Sequence, residues 1–210
     1  RIAADLIERI NPKNKEKDEI IQSAVLALGL IGTNDASDPL DKRIREALAA
    51  VPKDISDLQA RNFSMIALAK MGGTTPVSAK DSEGGIEEIA KVILAQLSEG
   101  KSVVKPWAGL ACGVMARRLN DTGANSSKIP TLQQAVRTAF EDEKDPSRLG
   151  ALAISSGIMG DVEAKQGLLK RLESEKDDTA RGYMAIGLGL MSAREAVEKI
   201  QKIIDDSKYR

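Results

Sequence analysis

Large apolar residues recur three to five positions apart along most of the chain, in blocks separated by polar turns, which is the period of a helix with one buried face. Five nine-residue blocks align without gaps: Ala24–Gly32 (AVLALGLIG), Ser64–Gly72 (SMIALAKMG), Ala108–Ala116 (AGLACGVMA), Leu152–Gly160 (LAISSGIMG) and Met184–Ser192 (MAIGLGLMS). The third column is always a large aliphatic residue: Leu26, Ile66, Leu110, Ile154 and Ile186. The sixth is always tiny, with Gly29, Ala69, Gly113, Gly157 and Gly189. The eighth holds Ile31, Met71, Met115, Met159 and Met191, and the ninth Gly32, Gly72, Ala116, Gly160 and Ser192. Each block therefore reads as the end of a helix closed by a small residue. Helix starts are signalled upstream by Asp54 or Asp57, by Asp145-Pro146-Ser147, by Asp177-Asp178-Thr179 and by Lys105-Pro106-Trp107. Asp and Ser accept the free amides of a first turn, where proline has no amide to leave unpaired.

Downstream of each block, apolar residues four apart predict a second amphipathic helix. Their stripes are Leu40, Ile44, Leu48; Ile89, Ile93, Leu97; Leu132, Val136, Phe140; Ala164, Leu168, Leu172; and Ala196, Ile200, Ile204. Residues 1–10 read as the second helix of a preceding, truncated unit ended by Asn11-Pro12, and a chain opening on Arg1 reads as a cut in a longer protein. The unit is thus helix, turn, helix, and its ninth-column residues are 40, 44, 44 and 32 positions apart. The excess length falls in three turns, Thr33–Pro39, Gly73–Gly85 and Arg117–Pro130, rich in Gly, Ser, Thr, Asn, Asp and Pro. The predicted fold is all-α: an α-α superhelix of about five helix-turn-helix repeats (18–53, 54–100, 101–144, 145–175 and 176–207) after a partial N-terminal one. Such pairs cannot bury their apolar faces alone, so each unit covers the next. Glycine inside a helix costs about 0.5–1 kcal/mol relative to alanine. The tiny sixth column is therefore expected to mark helix-on-helix contact too close for a side chain, and the long turns to line up as a composite rim.

These blocks resemble HEAT-type repeats, including the small bacterial variety, in which a basic residue precedes the Ala-Leu-Gly helix. Arg61, Lys105, Arg148 and Arg181 stand eleven or twelve residues before the closing small residue, while the first unit departs with Ile21. The Gly-rich wording of 27–30 and 187–190 also resembles the proteasome/cyclosome repeat. The resemblance spans almost the whole chain, implies an α-solenoid, and implies scaffolding rather than a particular activity.

Composition narrows the function further. The 210 residues carry 31 basic and 31 acidic side chains, so no net charge draws the chain to nucleic acid or an anionic membrane. Two registers along the solvent side of the second helices (Glu46, Ala95, Thr138, Lys170, Lys202, and Lys42, Lys91, Gln134, Gln166, Glu198) are not uniformly basic either. Histidine is absent, which removes His-based triads and His zinc ligands, and a single cysteine makes no internal disulfide. The longest apolar run, Ala24–Gly32, is about half a membrane span. Five aromatics are too few for a β-sandwich.

Single residues read mostly as packing. Trp107 at a helix start is expected to pack, Cys112 in the fifth column to be a small buried hydrophobe, and the methionine column to fill the core. The loops 74–85 and 121–127 match neither a Walker loop nor an EF-hand. Asn62-Phe63-Ser64 and Asn125-Ser126-Ser127 fit the glycosylation triplet, the first on a helix. No catalytic residue, cofactor or metal site is expected. The leading expectation is a non-catalytic module that binds a protein or peptide on the groove of second helices or on the rim. Asp35, Asp81, Glu83, Asp121 and Asn125 are the candidate partner contacts, and deleting Thr75–Gly84 is expected to spare the fold. The alternative is an accessory domain of a larger enzyme or sensor.

Overall fold

The computed structural model describes residues 1–123 and 126–206. Among these, the regular elements are eleven α-helices and three short 3-10 helices, with no strand. In chain order the α-helices are α1 (Ile2–Arg9), α2 (Asp18–Ile31), α3 (Pro39–Asp54), α4 (Leu58–Gly72), α5 (Ser82–Glu99) and α6 (Lys105–Asp121). There follow α7 (Lys128–Asp142), α8 (Pro146–Met159), α9 (Lys165–Ser174), α10 (Asp178–Leu190) and α11 (Val197–Asp206). Aspartates cap the starts: Asp57, Asp145 and Asp177 accept from the amides of Ala60, Arg148 and Ala180, as the sequence predicts, and Asp38 and Asp81 do the same for α3 and α5. Four of the nine-residue blocks end their helices; the third does not, because α6 runs on from Ala116 to Asp121 with Leu119 buried.

The first helices of the units pack in series, α2 on α4, α4 on α6, α6 on α8 and α8 on α10. The sixth column is where they meet. A Cβ on Gly29 would lie 2.5 Å from the Ala67 Cα, one on Gly113 2.8 Å from the Ser155 carbonyl oxygen, and one on Gly157 2.8 Å from the Gly187 Cα. In each case the sixth column of one unit meets the fourth column of the next, backbone against backbone. Gly189 is the exception, with nothing within 4 Å, because among the described residues no further first helix packs on α10.

The second helices lean on the first helix of the following unit as well as, or instead of, their own: α3 on α4, α5 on α6, α7 on α8 and α9 on α10. Their stripes are buried as predicted, with Ile44, Leu48, Ile93, Leu132, Val136 and Leu172 fully enclosed. Leu40 and Ile204 are exposed, the first in the opening turn of α3 and the second on α11, which has no following unit to lean on. Met71, Met115 and Met159 fill the core and Cys112 is buried beside them, whereas Ile31 in the same register as the methionines is exposed. The aliphatic third column faces outward: Leu26, Ile66, Leu110 and Ile154 are half-buried and Ile186 is exposed.

The basic residue ahead of each block also has a structural task. The Arg61 Nε donates to the Ile55 carbonyl (2.5 Å) and the Lys105 Nζ to the Ser98 carbonyl (2.8 Å), so each satisfies the C-terminal end of the preceding second helix. Arg148 reaches the same place through Glu143, the C-cap of α7, whereas Arg181 pairs within its own first turn with Asp178.

Leucine at position 113 or 157 has no room beside the neighbouring backbone, whereas leucine at 189 meets open space. Urea denaturation should show Gly113→Leu and Gly157→Leu losing about 1–3 kcal/mol or more through overpacking. Gly189→Leu should match or exceed the parent chain, since it removes a helical glycine. Equal stability for all three would contradict the register.

Candidate functional site

An open cleft lies among the second helices. Leu94, Leu97 and Ser98 of α5, Ala135, Thr138, Ala139 and Asp142 of α7, and the starts of α6 and α8 bound a cleft of about 570 Å³. Its origin is local. The Ile89–Ile93–Leu97 stripe turns α5 onto α6, leaving Leu94 half-buried on its flank, while α7 sets small Ala135 and Ala139 beside its buried stripe of Leu132, Val136 and Phe140. Two alanines a helical turn apart leave the space that larger side chains would fill.

Three charged side chains at the cleft wall, Lys105, Glu143 and Arg148, have partners within the chain. The Arg148 Nε lies 2.7 Å from Glu143 Oε2 and its Nη2 2.9 Å from Oε1, a bidentate pair. That guanidinium, with help from the Asp145 and Lys144 amides, holds the Glu143 carboxyl at about 2 rather than its usual 4.5, against the opposing pull of burial. Lys105 is tied to the Ser98 carbonyl, and the Ser98 hydroxyl donates to the Leu94 carbonyl at 3.0 Å. What the cleft presents to a ligand is apolar surface from Leu94, Leu97, Pro106 and Leu152, with Thr138 and Asp142 at the edge. That chemistry suits burial of an aliphatic or aromatic side chain.

The second surface is the edge formed by the turns inside the units. The first two turns are bonded together: the Asn34 amide donates to the Thr74 carbonyl, and its side-chain amide to the Gly72 carbonyl (2.9 Å) and Thr75 Oγ1 (2.8 Å). Asp35 lies between them with its carboxylate occupied by the Ser37 hydroxyl (2.7 Å) and the amides of Ser37, Lys80 and Asp81. The Ser37 hydroxyl and these amides hold its carboxyl at about 2, below the usual 3.8, although burial opposes them. Between the second and third turns, Thr75, Pro76, Val77, Glu83, Ile86 and Thr122 are among the residues bounding a polar cleft of about 410 Å³.

The five predicted contacts have different fates. Glu83 lines the polar cleft and accepts from the hydroxyls of Ser127 (2.9 Å) and Ser126 (3.3 Å). Asp81 caps α5 through the Gly84 amide. Asp121 is exposed in the last turn of α6 and pairs with Arg117. Asn125 lies outside the described residues. Asp35 is buried and serves the joint between turns instead of facing a partner, because four donors converge on it. For the same reason the segment 75–84 is not dispensable: it supplies Thr75, Lys80 and Asp81 to that joint and the cap of α5.

Trp107 packs edge-on against Phe63, ring centroids 6.3 Å apart at 80°. Phe63, Trp107 and Tyr183 all stand immediately before their nine-residue blocks, a shared column that could have been read from the sequence. The α5–α7 cleft could not, because it joins residues from separate units. Asn62 is nearly enclosed in α4, out of reach of glycosylation. Burial pushes the Cys112 thiol up to about 12, leaving no thiolate at neutral pH. Among the described residues no cluster of acidic and cysteine side chains is arranged to hold a metal, and no helix is long and apolar enough to cross a membrane. No protein-family model and no curated protein matches the chain.

The Glu143–Arg148 pair sets a pH dependence. Glu143 takes up its proton near 2 when folded and near 4.5 when unfolded, so its stabilisation is complete above about 4.5 and lost as pH falls towards 2. Thermal melts from pH 6 to pH 2 should show Glu143→Gln destabilised at neutral pH and converging on the parent chain in acid. A constant difference across that range would contradict the pairing.

Proposed function

We propose that the chain is a HEAT-type α-solenoid that acts as a non-catalytic interaction module, holding a protein or peptide partner on the groove of its second helices. The observation that carries this reading is the α5–α7 cleft, which is largely apolar while Lys105, Glu143 and Arg148 at its wall are satisfied internally. A partner side chain entering it would displace water from Leu94, Pro106, Ala135 and Ala139 without breaking the Glu143–Arg148 or Lys105–Ser98 contacts. Clefts of this size, mostly apolar with a few polar groups at the edge, suit anchoring residues of a partner. The serial packing of α2, α4, α6, α8 and α10 supports the solenoid, as does the repeated contact of sixth column on fourth. The rim is the secondary contact, with Glu83 and the exposed Val77 beside its polar cleft.

Thr138 is exposed at the cleft edge, so Thr138→Trp should fill the cleft without unfolding α7. Affinity purification with the intact protein should lose a groove partner at least tenfold with Thr138→Trp and retain it with Val77→Asp. A partner set unchanged by Thr138→Trp would overturn the groove as the binding surface.

A further inference from the structure

Consecutive second helices meet at joints that differ in one position. Five residues after the first residue of the apolar stripe, α3 carries Arg45, α5 carries Leu94 and α7 carries Arg137. Arg45 braces α3 to α5: its Nε lies 2.9 Å from Glu88 Oε2 and its Nη1 donates to the Asp35 carbonyl. Arg137 braces α7 to the turn before α9, with Nη1 2.7 Å from both Asp161 carboxylate oxygens and Nη2 2.9 Å from Glu163. α5 and α7 are instead linked toward their N-terminal ends, by Glu87 and Lys128. At the equivalent position of α9, Leu169 is enclosed, whereas Leu94 stays half-buried and the cleft of about 570 Å³ opens beside it. The α5–α7 cleft thus lies at the position where each neighbouring joint holds a guanidinium of the chain itself.

Four charged side chains bound the cleft. Arg148 and Glu143 neutralise each other, and Lys105 donates to the Ser98 carbonyl at the end of α5. Asp142, exposed at the edge, has no partner among the described residues. α7 ends at this residue. At the ends of α3, α5 and α9, the amides of Ile55, Gly100 and Glu175 reach back to the Val51, Gln96 and Arg171 carbonyls, but among the described residues no amide closes α7 in that way. A free carboxylate and an open carbonyl end both favour a cation. An anion would have to draw Lys105 away from Ser98.

We propose that the cleft takes an arginine side chain from the protein or peptide partner, its stem along Leu94, Pro106, Ala135 and Ala139 and its guanidinium on the Asp142 carboxylate. This rests on the groove reading and adds the chemistry of the anchor. The walls accept any aliphatic body, and the edge selects which one. A long cationic side chain lays its methylenes on apolar surface while its head stays at the water boundary. A guanidinium is less strongly hydrated than an ammonium and offers a carboxylate two parallel N–H groups. The chain uses arginine in this manner next door, where Arg45, 4% exposed, shares a small cleft with Leu68, Ile89 and Val92 and pairs with Glu88.

The probes are blocked tripeptides with alanine on either side of arginine, norleucine or glutamate, titrated into the isotope-labelled 210-residue chain and followed by amide chemical shifts. The arginine peptide should shift Leu94, Ala135 and Ala139 saturably, with a Kd of about 1 mM for so small a ligand. The norleucine and glutamate peptides should bind about fivefold more weakly or less, and Asp142→Asn should weaken the arginine peptide by about the same factor. Glu141→Gln, exposed beside Asp142 but not bounding the cleft, should leave its affinity unchanged. Equal affinity for norleucine and arginine would overturn the arginine anchor and leave an apolar one in its place. Tighter binding of glutamate would assign the cleft to Lys105 and overturn it too. So would the absence of a saturable shift with the arginine peptide, indifference to Asp142→Asn, or an equal loss with Glu141→Gln. The groove itself is decided separately, by the effect of Thr138→Trp on affinity purification.

Discussion

The structure depends on how closely consecutive first helices approach. At Gly29, Gly113 and Gly157 the next helix lies where a Cβ would stand, so the contact is made by main-chain atoms and small side chains. Dispersion between two backbones at that range offsets the conformational cost of glycine in a helix. The arrangement is also directional, because at these three joints the sixth column of one unit receives the fourth column of the next. That fixes the order in which units cover one another. Stability in such an array is shared between neighbours rather than owned by any unit.

Close approach of the first helices determines where everything else goes. The second helices span two units, which buries Ile44, Ile93, Val136 and Leu172 and places α5 beside α7. The turns inside the units fall near one another, and the buried carboxylate of Asp35 exploits that proximity by accepting from the Ser37, Lys80 and Asp81 amides. Charge is used in the same economical way at the other edge, where Arg61, Lys105 and Arg148 satisfy the ends of preceding helices. The surfaces proposed for binding are gaps this packing leaves: one where Ala135 and Ala139 are too small to fill the space, and one beside Glu83.

Much of this was legible in the sequence because it is local or periodic. The aspartate caps, the stripes at four-residue spacing and the tiny sixth column each follow from one helix considered alone. The failures have a common cause. Leu40 and Ile204 fit their stripes yet are exposed, and Ile31 fits the methionine register yet is exposed, because burial depends on a neighbour that periodicity does not supply. Asp35 has the composition of a solvated turn, but two of its four donors, the Lys80 and Asp81 amides, lie some 45 residues away. The α5–α7 cleft is a property of two units at once, so no single segment announces it.

Backbone contact between successive first helices is most directly measured by proton–proton nuclear Overhauser effects in the isotope-labelled chain. Strong cross-peaks between the α-protons of Gly157 and Gly187, and between those of Gly113 and Ser155, are the expected result. Their absence from a well-dispersed helical spectrum would contradict the close packing from which the groove of second helices and the joined turns follow.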